Sequence, residues 1–346
     1  MNSNDSYLLE EGTIINDKWK IQMFIAKGGK GEVYLARQLN LNRSVALKII
    51  SDEFMRSLEG DQEEMESEIA RFRREVQVMA KLQHPNILQV YDFDTVEIDG
   101  MQLDYIVMEY IPGQTLRQRM PETGLGQNRG KVQNWINEYF LPILDGMEAV
   151  HDKGLVHRDI KPENILIDES LPKIMDFGIA GGHNLDNVTQ THHMIGTIMY
   201  MPQEQFMDLA QTDARVDIYA LGKILYEAVD GKITKKNTKP FHSVGLKDPQ
   251  SDFFKALDRI ISQATAKDRN QRIPSVKTFR KLIRELSSQV QEDSSPQSVR
   301  HPKIKSILVS LILLAALFCG LILFFHKPIF QSLPFFVKNE NIYVFN

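Results

Sequence analysis

Between Trp19 and about Ile50, apolar and polar residues alternate in three stretches separated by glycine or polar turns. Successive side chains of a strand point to opposite faces, so this pattern predicts three strands that each bury one face. Two further strands are expected over 87–95 and 103–110, with Asp99-Gly100 as the hairpin turn between them. Between the two groups, residues 51–70 hold eight acidic side chains against one basic one, Arg56, and Arg71, Arg73 and Arg74 follow. Acid early and base late complements a helix dipole, which predicts one long helix ending near Leu82. We read its acidic part as a solvated extension, with a docking surface for a basic partner as the other reading. His84-Pro85-Asn86-Ile87 ends that helix, Pro112-Gly113 breaks the chain after Tyr110, and a loop with three glycines spans 124–130. A long helix is expected over 132–153, and helix and loop alternate from Asp217 onward. Strands first and helices afterwards give an α+β chain with a small β-rich lobe and a larger helical lobe.

A different pattern closes the sequence. Residues 306–325 carry no charge, and fourteen of the last nineteen are Leu, Ile, Val or Phe. Twenty helical residues span about 30 Å, the thickness of a bilayer's hydrocarbon core. The apolar side chains favour insertion by about 4–8 kcal/mol. One transmembrane helix is therefore expected over 304–326, after a polar linker at 289–303. Arg300, Lys303 and Lys305 precede the span and Lys327 follows it, which predicts a cytoplasmic N-terminal side. The implied localisation is a cell membrane, single-pass, with a short extracytoplasmic tail at 327–346. Residues 1–11 read as a frayed acidic tail and lack the features of a secretory signal.

Charge and cysteine content narrow the function classes. With 41 basic and 45 acidic residues the net charge is −4, which gives no basic excess for nucleic acid. The single cysteine, Cys319, lies in the apolar run and forms no internal disulfide.

The chemistry concentrates in His157-Arg158-Asp159-Ile160-Lys161-Pro162-Glu163-Asn164 and, twelve positions past Asn164, Asp176-Phe177-Gly178. Asn and Asp oxygens suit a hard, phosphate-bound cation. An Asp with a Lys two residues on can face a hydroxyl and a phosphoryl group together. Upstream, Ile25-Ala26-Lys27-Gly28-Gly29-Lys30-Gly31-Glu32-Val33 is glycine-rich, and such turns let backbone N–H groups approach phosphates. Val45-Ala46-Leu47-Lys48 follows in a strand pattern, and Phe72-Arg73-Arg74-Glu75 lies in the helical one.

In order and spacing, these motifs resemble the eukaryotic-like Ser/Thr protein kinases, bacterial membrane-anchored type, over residues 12–288. The resemblance implies a bilobal protein-kinase fold, ATP with Mg2+ (Mn2+ as an alternative metal), and protein substrates with Ser/Thr acceptors. It makes Asp159 the residue that orients the substrate hydroxyl and Lys161 the charge on the transferring phosphoryl group. Lys48 would hold the α and β phosphates and pair with Glu75, and Asn164 and Asp176 would hold the metal. Ile25, Ala26, Lys27, Gly28, Gly29, Gly31, Val33, Ala46 and Leu166 would enclose the nucleotide. Glu109 to Ile111 would meet the adenine edge, with Met108 as gate to the space behind. Arg158 would read an activation-segment phosphate, with Thr189 and Thr191 as the phosphosites, and Thr197 would contact Asp159 or Lys161. Glu204 and Arg272 would form a buried ion pair. His157 and Phe177 read as packing residues.

The chain departs from the family at Ala26, where the glycine turn has a glycine, and at Gln203, where the segment's end has a proline. These two positions support the alternative of a pseudokinase scaffold or ATP-bound switch. A small-molecule kinase of related fold is the third reading. Association with the bilayer through one span is expected, and dimerisation is left open.

Overall fold

The computed structural model describes residues 7–29, 31–51, 62–176, 196–207 and 212–294. Residues 1–290 form one compact unit; of the second, 291–346, only 291–294 are described. The expected span at 304–326 lies outside the described residues, and among these no helix is long and apolar enough to cross a membrane. Phe177, Gly178, Thr189, Thr191 and Lys30 also lie outside them.

Six strands form one antiparallel sheet: β1 (Ile14–Ile15), β2 (Trp19–Gly28), β3 (Gly31–Gln38), β4 (Arg43–Ile50), β5 (Val90–Ile98) and β6 (Met101–Glu109). Their spatial order is β1-β2-β3-β4-β6-β5. β4 is buried from Val45 to Ile50, because both faces of the sheet are covered. Val45, Leu47 and Ile49 join Trp19, Ile21, Tyr34 and Tyr105 on one face. Ala46 and Ile50 face the other way, onto Phe72 and Val76 of helix α1 (Gln62–Lys81). Period-two alternation therefore puts Lys48 on the α1 side with Ala46. Full burial of each large apolar side chain contributes about 1.5–3 kcal/mol.

The helical lobe holds α2 (Leu116–Arg119), α3 (Arg129–Trp135), α4 (Leu141–His151), α5 (Gln203–Met207), α6 (Arg215–Asp230), α7 (Asp252–Ala264) and α8 (Val276–Ser294). α6 is buried at every residue from Val216 to Val229 and forms the centre of the lobe. Its polar side chains must then be paired. Lys223 donates to the His242 carbonyl at 2.6 Å, and burial lowers its pKa to about 8. Gly222 lets α7 approach: a Cβ there would lie 2.8 Å from the Ala264 and Thr265 side chains.

Four expectations are corrected. The helix expected over 132–153 is α3 and α4 joined by a π-helical turn at Ile136–Phe140. Pro142 sits in the first turn of α4, lacks an N–H, and crowds the carbonyl four residues back. The strand expected over 87–95 begins later, at Val90, because Ile87 pairs instead with Ile174. Leu8 and Leu9 of the N-terminal tail pack on the sheet, with Leu9 buried and its N–H bonded to the Tyr34 hydroxyl at 3.1 Å. A small sheet of β7 (Gln114–Thr115), β8 (Ile165–Asp168) and β9 (Leu171–Ile174) was not expected. Its strands are too short to carry a periodic signal.

Candidate active site

The loop between α4 and β8 carries the first motif, and its shape is set from beneath. Asp217, fully buried at the start of α6, accepts from the backbone N–H of His157 at 2.9 Å and of Arg158 at 2.8 Å. His151 Nε2 lies 2.8 Å from the same carboxylate. Burial disfavours the Asp217 charge, but His151, His157 and the backbone donor of His157 outweigh it, and the pKa lies below the ordinary 3.8. These bonds hold Arg158 at φ 63°, a left-handed conformation that a non-glycine residue rarely adopts. Gln205 of α5 adds a bond from Nε2 to the Arg158 carbonyl at 2.5 Å.

His157 links this loop to the next. Its Nδ1 accepts from the Asp159 N–H at 3.2 Å, so the proton sits on Nε2, which donates to the Met175 carbonyl at 3.0 Å. The Met175 N–H donates to the Asn164 carbonyl at 3.0 Å. Asp176 is thereby delivered beside Asn164, itself at φ 62°. Asn86, from the run that ends α1, donates to the Pro172 carbonyl at 3.0 Å and accepts from the Ile174 N–H at 2.9 Å, tying β9 to the sheet lobe.

The polar groups converge as expected. Lys161 Nζ lies 2.9 Å from Asp159 Oδ1 and donates to Thr197 Oγ1 at 2.7 Å. Asn164 Nδ2 donates to the Asp159 carbonyl at 2.7 Å and to Asp159 Oδ2 at 3.1 Å. Asn164 thus directs its amide nitrogen at Asp159. Its amide oxygen and the Asp176 carboxylate are the hard donors that a Mg2+ ion would use. Across from them Lys48, buried on β4, reaches Asp176 Oδ1 at 2.6 Å. A carboxylate and an ammonium facing each other fit a metal–phosphate pair between them.

One expected contact is not made. Lys48 pairs with Asp176 and not with Glu75, which lies 3.2 Å from Arg71 Nε and 3.8 Å from the Arg158 guanidinium. The reason is competition for opposite charge: Asp176 takes the Lys48 ammonium at 2.6 Å, and Arg71 and Arg158 take the Glu75 carboxylate.

The apolar residues meet in one cluster. Val33, Ala46, Met108, Ile111 and Leu166 pack together with Val90 and Met175. Met108 also lines a cavity that reaches Glu75, Met79 and Asp176 behind it. Ile25, 42 % exposed, is not part of this cluster. The Glu109 N–H is taken by the Gln89 carbonyl at 2.9 Å, and its carboxylate by Lys173 at 2.9 Å. In the glycine turn, a Cβ on Gly28 or Gly29 would meet nothing within 4 Å. Gly31 is different: at φ 135° its Cβ would lie 1.9 Å from the Ile49 carbonyl oxygen, so only glycine fits.

Two arginine contacts hold the chain at Tyr200 and Glu204. Arg272 binds Glu204 through both nitrogens, the second at 3.0 Å, with its side chain fully buried. Arg117 of α2 bonds Glu163 at 2.7 Å and Glu227 at 2.8 Å, and also meets the Tyr200 hydroxyl. Burial lowers the Arg117 pKa, but Tyr200, Glu227 and Glu163 more than reverse this. Sequence reasoning matched the run from Asp217 to Gly222 to the family's helical lobe and Tyr200-Met201 to its substrate-side loop, but gave no contact to Asp217, Gln205, Arg117, Tyr200 or Glu227. A further signal was an Asp, a Lys and a Glu inside the apolar α6 pattern, where a polar residue must have a partner.

Comparison with known proteins decides the family. Residues 19–303 match the protein kinase domain family. The chain belongs to the protein kinases. Within this family it is 36% identical over 241 residues to a probable serine/threonine-protein kinase of Clostridium acetobutylicum, covering 69% of this chain and 34% of that one. It is 34% identical over 303 residues to the serine/threonine-protein kinase PknB of Mycolicibacterium smegmatis, covering 84% and 45%. The kinase chain thus spans less than half the length of these curated relatives. Among solved structures, the kinase domain of Mycobacterium tuberculosis PknI matches with a TM-score of 0.59 and 26% identity, over 81% of this chain and 99% of that one. The kinase fold, a β-rich lobe on a helical lobe, agrees with the sequence expectation.

Proposed function

We propose that this chain transfers the γ-phosphoryl group of ATP to Ser or Thr hydroxyls of proteins, from a single-pass anchor in the cell membrane with the kinase domain cytoplasmic. The observation that carries the reading is the Asp159–Lys161–Thr197–Asn164 constellation facing the Lys48–Asp176 pair. Asp159 orients the acceptor hydroxyl and takes its proton at a carboxylate oxygen. Lys161 is the positive charge beside the transferring group, held in place by Asp159 and Thr197. Asn164 and Asp176 would hold Mg2+, which supplies charge neutralisation to the phosphates. Lys48 exchanges Asp176 for the phosphates when nucleotide enters, and is then within reach of Glu75.

That exchange gives the arginines a regulatory part. A phosphate at Thr189 or Thr191 carries about −2 charge and competes with Glu75 for Arg158. With Arg158 taken by the phosphate, Arg71 is the remaining partner that Glu75 exchanges for Lys48.

Labelled ATP and a generic protein acceptor test the reading. Lys48→Met is expected to leave a folded chain whose transfer falls by about 100-fold or more. Near-normal turnover in that variant would refute the nucleotide-site assignment. The anchor is tested separately: truncation before Ser306 is expected to move the kinase from the membrane to the soluble fraction with its activity kept. Retention in the membrane would require another attachment.

A further inference from the structure

Glu32 is an acidic residue buried to 2 % exposure, one position past the end of the glycine turn, and none of the roles above uses it. Three groups reach its carboxylate. The Leu8 N–H donates to Oε2 at 2.9 Å, the Tyr34 hydroxyl bonds the same oxygen, and Lys27 Nζ lies 2.9 Å from Oε1. Burial raises its pKa, but Tyr34, the Leu8 N–H and Lys27 outweigh this and keep it below the ordinary range. The carboxylate is therefore ionised inside the outer face of the sheet.

The groups around it form a closed circuit. Tyr7 stacks on Phe24 of β2, with ring centroids 4.1 Å apart. Phe24 packs edge-on against Tyr34 of β3 at 5.8 Å. Tyr34 bonds Glu32 and accepts from the Leu9 N–H. Lys27 and Glu32 are cross-strand partners at the base of the glycine turn. Residues 7–9 thus lie as a strap across both strands that lead into the turn. Beyond it, Gly31 is fixed by its contact with Ile49, and Gly28 and Gly29 stand in open space.

We infer that the strap Tyr7–Leu9, acting through Glu32 and Tyr34, is a positioning element that sets the phosphate-binding turn for nucleotide. The argument is one of leverage. A turn of glycines has no side chains to fix its own conformation, so its geometry depends on the strands at its base. Here the base is held by a buried carboxylate that has one donor from the strap, Leu8, one from β2, Lys27, and one from β3, Tyr34. Removing the strap leaves Glu32 short of a donor in a site with little water, and a buried acceptor without its partner relaxes the strands around it. Glu32, Tyr34 and Tyr7 touch no reacting atom in this picture; they act through the turn.

The inference rests on the nucleotide-site reading above, and one experiment separates the two. Mg-ATP binding is titrated on the full chain in detergent, for wild type, Tyr34→Phe, Tyr7→Ala and Tyr7→Phe. Tyr34→Phe keeps the buried ring and removes only the hydroxyl; Tyr7→Ala changes a half-exposed ring; Tyr7→Phe keeps the stack. The first two are expected to weaken Mg-ATP binding and raise the KM for ATP by about three- to tenfold, the scale of one or two lost hydrogen bonds. The KM for the protein acceptor should not move, and Tyr7→Phe should behave as wild type. Unchanged ATP affinity in both Tyr34→Phe and Tyr7→Ala, even with a lower melting temperature, would make the strap merely structural and overturn the inference. A wild-type chain that binds no ATP would instead overturn the nucleotide-site reading.

Discussion

Asp159→Asn is expected to cut phosphoryl transfer by about 100- to 10,000-fold while leaving the fold intact. The amide is isosteric with the carboxylate but has one acceptor oxygen, so only one of the two donors, Lys161 Nζ at Oδ1 or Asn164 Nδ2 at Oδ2, keeps its hydrogen bond. What is lost is the negative charge that, in the proposed mechanism, orients the acceptor hydroxyl and takes its proton. The same loss leaves the Lys161 ammonium without its counter-charge, and Lys161 then shifts from Thr197. Mg-ATP affinity should change little, because Lys48 and Asp176 are untouched. Mass-spectrometric mapping of both proteins adds the regulatory test. Wild type is expected to carry phosphate at Thr189 or Thr191, and Asp159→Asn to carry none. Equal turnover in the two proteins would remove Asp159 from the mechanism. An active wild type without phosphate at either threonine would remove the proposed exchange at Arg158 alone.

Asp217→Ala is expected to destabilise the domain by about 3–5 kcal/mol, a large part of the 5–15 kcal/mol typical of a folded domain. Two buried backbone donors, at His157 and Arg158, lose their acceptor together, and His151 loses its partner. The left-handed Arg158 then loses the acceptor of its N–H, so activity should fall further than stability alone explains. Asp217→Asn keeps one acceptor oxygen and should fall between Ala and wild type. Denaturant midpoints check the first part and turnover at a temperature where all three are folded checks the second. A loss below about 1 kcal/mol with full activity would show that the loop holds its own shape. The pH dependence has a definite sign. Because the folded pKa of Asp217 lies below 3.8, its contribution is present above that value and is lost as pH falls through the folded pKa.

The strands from Trp19 to Ile50 were legible because β-branched and aromatic positions alternate over enough residues to mark a face. The reactive groups were legible for another reason: Asp159, Lys161, Asn164 and Asp176 lie close together in sequence, so their types and spacing already imply a shared site. Asp217 and Glu227 were not legible as site residues. They reach the site from a helix that otherwise reads as core, and only packing shows which loop that helix lies under. The Lys48–Glu75 contact was expected from the family resemblance; in the structure Asp176 takes Lys48, and Arg71 and Arg158 take Glu75. Leu9 was missed because three residues are too few to show a period. Pro142 was visible, and its effect on the turn before it was not drawn.

The separation of Lys48 from Glu75 also bears on how fast such an enzyme could be switched. Asp159, Lys161, Thr197 and Asn164 are already in mutual contact, so nothing in the catalytic loop has to be built. What remains is for Glu75 to leave Arg71 and Arg158 and reach Lys48, and a shift of α1 that did so would trade two ion pairs for one to a buried lysine. Such a rigid-element motion belongs to the microsecond-to-millisecond range, not to the seconds of a folding step. The delay between signal and output would then be set by how quickly a phosphate is placed or removed, and the protein itself would follow almost at once.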